Sequence, residues 1–319
     1  MNKKLLGNSD LSITQIGFGA WAIGGNGWDF GWGAQDEKNS LEALHKAIEL
    51  GINWIDTAAI YGLGHSEKIV AEFLSQNKNQ MPYIFTKCGL VWDENKNISR
   101  IIEPNSIRKE CENSLRRLKL DVIDLYQIHW PTGNDNEIPF AWEMMTKLKE
   151  EGKVRWIGVS NFNVEQIKLA ESISPVTSLQ PIYNIIKRDI EKNVLPYCLE
   201  KNIGVIAYSP MMSGLLSGKM TRERILNLPE DDWRKRNAEF REPNLTRNLE
   251  LVELLSSIGN KHNVSAGEVA IAWTLKNPAI TGAIVGARNS NQVEGFINAV
   301  NVNLSSEDIS MIQNFMERK

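Results

Sequence analysis

Residues 51–67 read GINWIDTAAIYGLGHSE. A short apolar run, Trp54-Ile55-Asp56, ends on a carboxylate; a glycine-punctuated link carries Tyr61; an amphipathic pattern sets in at Glu67. Strand, loop and helix in that order form the repeating unit of a parallel sheet with covering helices. The unit recurs: YIFTKCG brings a run to Lys87, and VIDLYQIHWP brings one to His129. In a barrel of parallel strands the C-terminal strand ends open onto one shared face. Asp56, Tyr61, Lys87 and His129 would therefore meet there, although they are spread over residues 56–129.

Outward from that stretch, eight apolar runs are expected as strands, at 16–19, 54–56, 83–87, 122–128, 156–160, 178–181, 203–208 and 283–285. Amphipathic stretches at 40–50, 67–74, 107–118, 138–150, 164–171 and 192–200 are expected as helices between them. Eight units without an evident linker favour an α/β chain folded as a closed (β/α)8 TIM barrel, a single domain over 1–319, rather than an open sheet. Three additions are expected. Gly7-Asn8-Ser9-Asp10 between short apolar pieces reads as an N-terminal β-hairpin. The charged stretch 221–247 makes a long loop after strand seven, of the kind used for lids and binding loops, and two further helical patterns follow. Residues 305–317, opened by a serine cap and early acids, add a C-terminal helix.

The segment Gly17-Phe18-Gly19-Ala20-Trp21-Ala22 fits the dinucleotide fingerprint G-x-G-x-x-A. That fingerprint requires a helix to begin inside it, and Gly24, Gly25 and Gly27 would break one. A first barrel strand running into a flexible loop explains these glycines better.

The chain of 319 residues has a net charge of −3 and a pI near 5.9. Nothing basic enough for nucleic acid or an anionic membrane is indicated. Its 42% hydrophobic content suffices for a large core. The polar N-terminus lacks a signal-peptide segment, and no run reaches the ~18 apolar residues of a membrane span, so a cytoplasmic location is expected. Cys88, Cys111 and Cys198 are few, odd in number and without CxxC spacing, which argues against a disulfide framework or a cysteine metal site. A monomer is expected by default.

Reducing a carbonyl brings a hydride to carbon while negative charge builds on oxygen. A phenol is a weak acid, with a pKa of about 10. A neighbouring ammonium favours phenolate and should lower that value, so Tyr61 is the candidate proton donor and Lys87 the perturbing cation. A charged lysine in a pocket needs a counter-ion, and Asp56 is the candidate. His129 would hydrogen-bond the carbonyl oxygen and stabilise its charge. Each residue alone reads as a cap, a packing residue or a structural histidine; the ordered set at strand ends does not.

This ordered set resembles that of the aldo-keto reductase family, and the likeness runs essentially end to end, hairpin and C-terminal helix included. The resemblance implies NADPH (NADP+) as cofactor and a small-molecule carbonyl or alcohol as substrate. It assigns Ser160 and Asn161 in GVSNF and Gln180 in SLQPIYN to the nicotinamide carboxamide, and Tyr208 in AYSP to stacking on the nicotinamide ring. Amide and hydroxyl groups match a carboxamide, and a flat aromatic matches a flat ring. Without the resemblance, Asn161 reads as a helix cap and Tyr208 as core. Ser209 and the backbone of Gly214 and Leu215 resemble the family's pyrophosphate strap, with Lys219 nearby. GARNSNQ resembles its loop for the adenosine 2′-phosphate, with Arg288 as the cation and Asn289, Gln292 and a helix N-terminus in support. A solvated surface cation is the other reading of Arg288. Where family members often carry Glu-Asn for the adenine, this chain has Gly295-Phe296, which weakens the expected hold on that base.

Ten tryptophans are unevenly placed. Trp54, Trp142, Trp156 and Trp273 are expected in the core. Trp21, Trp28, Trp32, Trp92 and Trp130 follow strands and are expected to line a substrate site, with Phe30 and Val91 beside them. Such faces suit an apolar carbonyl or the C–H faces of a sugar. Residues 231–241 read as a solvated loop more readily than as a lid. Ser66 is expected to cap the helix after Tyr61, His65 is a minor candidate for substrate contact, and Cys88 should point away from the site. Two further readings compete with a reductase. Lys87 could form a Schiff base, as in an aldolase, or the chain could bind cofactor as a slowly turning regulatory subunit.

Overall fold

In the computed structural model, which describes residues 1–318, an antiparallel hairpin of β1 (Lys3–Leu5) and β2 (Ser12–Thr14) precedes the barrel strands β3 (Ile16–Gly19), β4 (Trp54–Asp56) and β5 (Tyr83–Cys88). A second hairpin, β6 (Leu90–Trp92) with β7 (Ile98–Arg100), follows directly. The barrel continues through β8 (Ile123–Ile128), β9 (Val154–Ser160), β10 (Ser178–Gln180), β11 (Gly204–Tyr208) and β12 (Ile280–Gly286). These eight strands pair in parallel and close, β12 against β3. The strand–helix alternation read from the sequence is thus a (β/α)8 barrel.

The barrel is wrapped by α1 (Glu37–Glu49), α2 (His65–Gln76), α3 (Pro104–Leu118), α4 (Ile138–Glu150), α5 (Val164–Glu171) and α6 (Val194–Glu200). The segment after β11 holds α7 (Arg222–Leu226), α8 (Asn244–His262) and α9 (Ala266–Lys276), and α10 (Ser290–Ile297) and α11 (Ser306–Glu317) follow β12. Among the described residues no helix is long and apolar enough to cross a membrane.

Strand side chains alternate faces, and this period of two sorts the barrel interior into layers. Trp54, Phe85, Leu125, Ile206 and Ile284 form one apolar interior cluster. Leu6, Leu11 and Ile13 of the hairpin plug it from below, and the Trp54 indole N–H donates to the Thr14 carbonyl at 2.8 Å. Gly17 belongs to this packing: a Cβ there would sit 2.1 Å from the Trp54 ring, so the glycine answers to barrel packing. Two residues further along each strand the interior turns polar, with Asp56, Lys87, Gln127, Gln180 and Tyr208 at the mouth. Ile55, Ile84 and Tyr126 face outward into the helix layer.

The differences from expectation lie at element ends. Ser66 does not cap α2; that helix starts from Gly64 in the left-handed region, and the Ser66 hydroxyl is buried on Thr57 and the Ala20 carbonyl. Asn161 does not cap α5, because Asn163 does so in a reciprocal capping box with Gln166. The β6–β7 hairpin lies where the polar run Asp93–Asn97 hides two short strands. Residues 231–241 are no solvated loop: Asp232, Arg234, Glu239 and Phe240 are buried there.

Candidate active site

The four candidate residues converge at the barrel mouth. Lys87 Nζ donates to Asp56 Oδ1 at 2.5 Å and to the Thr57 carbonyl at 2.8 Å, and lies 3.3 Å from the Tyr61 hydroxyl. The Tyr61 ring meets the His129 ring edge-on at 5.7 Å. Asp56 and Lys87 are 2% and 1% exposed, a burial that only a saturated pair tolerates. Saturation is supplied by Gln180, whose amide donates to Asp56 Oδ2 at 2.8 Å, and by Gln127 at 3.4 Å. Gln127 was not expected at the site, although its place two residues before His129 on β8 put it on the same inward face.

Burial sets the proton affinities. The Tyr61 hydroxyl is pushed well above its ordinary value by desolvation and by the Asp56 charge. This reverses the expected lowering by Lys87, whose charge is committed to Asp56. Desolvation also lowers the Lys87 ammonium against the pull of Asp56. His129 is driven well below its ordinary value by burial and by the positive charges of Lys87 and Arg100. A protonated phenol and a neutral imidazole therefore stand side by side, and such a pair can protonate and orient a carbonyl oxygen. With its ammonium bonded to Asp56, Lys87 is poorly suited to attack as a neutral amine, which weighs against the Schiff-base reading.

Beside them lies a shelf of amides and hydroxyls. Ser160 Oγ donates to the Gln180 carbonyl, Asn161 Nδ2 donates to the His129 carbonyl, and the Tyr208 hydroxyl donates to Asn161 Oδ1 at 2.9 Å. Asn161 and Ser209 hold left-handed backbone, with φ of 63° and 55°, as the chain turns out of β9 and β11.

One cavity of about 860 Å³ runs from Tyr61 and His129 past this shelf to a cationic end containing Lys219, Arg224, Arg234 and Arg288. Arg288 donates to Gln35 Oε1 at 2.6 Å and to the carbonyls of Trp32 and Ala34. Burial and the nearby charges of Arg234 and Arg224 lower its proton affinity, with Asp232 opposing. Arg288 is therefore half-buried and fixed, which excludes the freely solvated reading. In the sequence, Arg224 and Arg234 are marked only by the charge density of 221–247.

A family model for the aldo/keto reductase family matches residues 15–317. The chain belongs to that family. It is 36% identical over 321 residues to an aldo-keto reductase of Bacillus subtilis, covering 98% of this chain and 92% of that one. It is 31% identical to the NADH-specific methylglyoxal reductase of Escherichia coli, covering 99% of each. Among solved structures, the glycerol dehydrogenase of Gluconobacter oxydans superposes with a TM-score of 0.89 at 36% identity, covering 99% of this chain and 95% of that one. The chain is thus an NAD(P)H-dependent aldo-keto reductase.

In this aldo-keto reductase the remaining candidates fall into two groups. Trp21, Trp28, Trp32, Trp130, Ser209, Gly214, Lys219 and Gln292 line the cavity, as do Gly295 and Phe296. Trp92 lies outside the wall: it packs against the cluster of Trp28, Ala58, Ile60 and Tyr61, with the Arg117 guanidinium 5.9 Å from its ring. Leu215 is wholly buried, and the Asn289 side chain caps α10 by accepting from the Gln292 N–H. His65 pairs with Glu37 away from the cavity. Cys88 points outward, to the Gln127 carbonyl and the Met145 sulfur.

The 231–241 segment supplies an unexpected wall. Trp233 stacks on Trp21 at 5.4 Å and 15° and donates its backbone N–H to the Gly31 carbonyl; Arg236 donates to the Asp29 carbonyl. Arg234, bonded twice to Asp232, lies 4.4 Å from the Trp32 ring. The segment is pinned across the loop after β3 and contributes Trp233 and Arg234 to the cavity wall.

Proposed function

We propose that this chain reduces an aldehyde or ketone, sugar-derived carbonyls included, to the alcohol and can run the reverse oxidation, with NADPH as hydride source and Tyr61 as proton donor. The observation that carries this reading is the sharing of one cavity by the Tyr61–Lys87–Asp56–His129 cluster and a four-cation end. NADPH, when bound, supplies the hydride to the carbonyl carbon.

The remaining steps belong to side chains. His129, neutral, donates a hydrogen bond to the carbonyl oxygen and fixes its position. Tyr61 gives its proton to that oxygen as charge develops, since an alkoxide is a far stronger base than a phenolate. Lys87, donating toward the Tyr61 oxygen, stabilises the phenolate left behind, and Asp56 with its two glutamine donors holds Lys87 in place. For the cofactor, Ser160, Asn161 and Gln180 would hold the carboxamide and Tyr208 the ring face. Ser209, Gly214 and Lys219 would take the pyrophosphate. Arg288, Arg224 and Gln292 would take the 2′-phosphate.

The donor set fits such an acceptor-rich ligand. Clustered cations outnumber the nearby acids, Asp232 held by Arg234 and Glu268 held by Ser265, and so favour a polyanion, and the buried indole N–H groups of Trp32 and Trp233 have no acceptor among the described residues. Relatives named as a methylglyoxal reductase and a glycerol dehydrogenase support a small substrate. Because one of them is named NADH-specific, the preference for NADPH rests on the arginine cluster.

Titration of tryptophan fluorescence with each cofactor tests this directly, since Trp21, Trp32 and Trp233 line the cavity. NADPH should bind at least about tenfold tighter than NADH, the worth of one charged hydrogen bond. Equal affinities would remove the 2′-phosphate assignment, and no binding of either would remove the function.

A further inference from the structure

One cation at the catalytic end of the cavity helps to keep His129 neutral but has no ligand assigned to it in the reduction. Arg100 ends the β6–β7 hairpin opposite Leu90, and that hairpin packs Leu90 and Ile98 against the cluster of Trp28, Ala58, Ile60 and Tyr61. Lys96 ties the hairpin to the loop after β3 by donating to the Gly27 carbonyl at 3.0 Å. The Arg100 guanidinium lies 4.9 Å from the centre of the Trp130 ring, and its charge reaches His129. Arg100, Trp130, His129 and Tyr61 all line the one cavity.

The other cavity arginines have acceptors. Arg234 is bonded to Asp232, Arg288 to Gln35 and two carbonyls, and Arg224 to the Lys219 carbonyl. Arg100 has none among the described residues; Asp29 shares the wall without forming an ion pair to it. An arginine resting on an indole keeps its planar fork of five N–H donors open for another partner. That fork matches a carboxylate in a two-bond pair.

Building on the reductase reading, we propose that Arg100 is a specificity residue that selects carbonyl substrates bearing a carboxylate. The carboxylate pairs with Arg100 beyond Trp130, the body of the substrate packs against Trp28 and Trp130, and the carbonyl oxygen meets Tyr61 and His129.

The test compares a matched pair of aldehydes, 4-carboxybenzaldehyde and its methyl ester, with the full-length protein and NADPH. Wild type should prefer the acid. Arg100→Leu should lower kcat/KM for the acid about 10- to 100-fold, mostly through KM, and leave the ester within about twofold. Arg100→Lys should fall between, having the charge without the fork. A wild-type preference for the ester, an equal loss on both aldehydes, or no loss on the acid would overturn the proposal. A second measurement needs no turnover: 4-methylbenzoate should quench tryptophan fluorescence with about tenfold weaker affinity, or worse, in Arg100→Leu than in wild type. Equal affinity there overturns the proposal even if neither aldehyde is reduced, whereas weaker affinity without turnover would keep Arg100 as an anion site and sink the reductase reading instead.

Discussion

The two ends of the cavity are built by opposite means. At the catalytic end the supporting network rides on barrel strands, with Asp56, Lys87, Gln127 and Gln180 bonded together out of solvent, while Tyr61 and His129 stand on the links just beyond β4 and β8. At the cationic end Lys219, Arg224, Arg234 and Arg288 come from the segments after β11 and β12; Arg224 leans on a backbone carbonyl, Arg234 on Asp232, and Arg288 on Gln35 and two carbonyls. A strand position is fixed by the register of the whole sheet, so a group there cannot move without moving the barrel. A loop position rests on a few separable contacts. The network around Lys87 is therefore rigid and brittle, while the proposed hold on the cofactor can be altered one contact at a time.

Lys87→Met attacks the rigid end where it is most brittle. It strands the Asp56 carboxylate in a buried site, and about 3–5 kcal/mol of stability should be lost, read by urea unfolding. Adding Asp56→Asn should recover most of that loss without restoring turnover. A single variant as stable as wild type would show that the buried pair does not hold the barrel mouth.

Glu110 sharpens the same contrast through pH. It accepts from the Gly89 N–H just beyond Lys87 and Cys88, and burial pushes its carboxyl up to about 7. Because that lies above the unfolded value, the group stabilises the fold in full below about pH 4.5, and this is lost as pH rises to about 7. Glu110→Gln should gain up to about 3 kcal/mol relative to wild type at pH 8, and nothing near pH 4. A gain independent of pH would disprove the assignment.

At the loop-built end effects should be smaller and confined to the cofactor. Arg288→Ala should raise the KM for NADPH about 10- to 100-fold and that for NADH little, with stability near wild type. Equal effects on both cofactors would take the 2′-phosphate away from Arg288. Trp233→Ala removes the stack on Trp21, a contact worth roughly 0.5–1.5 kcal/mol. It should speed NADPH release by about two- to tenfold in stopped-flow fluorescence; an unchanged rate would leave Trp233 as a passive wall.

The same division governs what the sequence revealed. The strand-borne groups were legible because period-two alternation and strand order dictate where Asp56 and Lys87 lie, and His129 directly follows the last residue of β8. Gln127 obeyed that rule and could have been read by counting back from His129. The direction of the Tyr61 shift was not legible, because it depends on how completely Asp56 engages Lys87. The β6–β7 hairpin and the buried Asp232–Arg234 pair are local but sit in polar stretches that read as exposed loop, and the Trp21–Trp233 stack joins segments distant in sequence. Polar composition reports the exposure of a loop on average, and these loops are polar while packed against one another.

The most direct test of the proposed chemistry is a single-turnover measurement of NADPH oxidation in wild type and Tyr61→Phe. The wild-type rate should be flat from about pH 6 to 9, because Tyr61 stays protonated and His129 neutral across that range, and Tyr61→Phe should be slower by about 10²- to 10⁴-fold with cofactor affinity intact. A Tyr61→Phe rate within about threefold of wild type would contradict the role of Tyr61 as the proton donor.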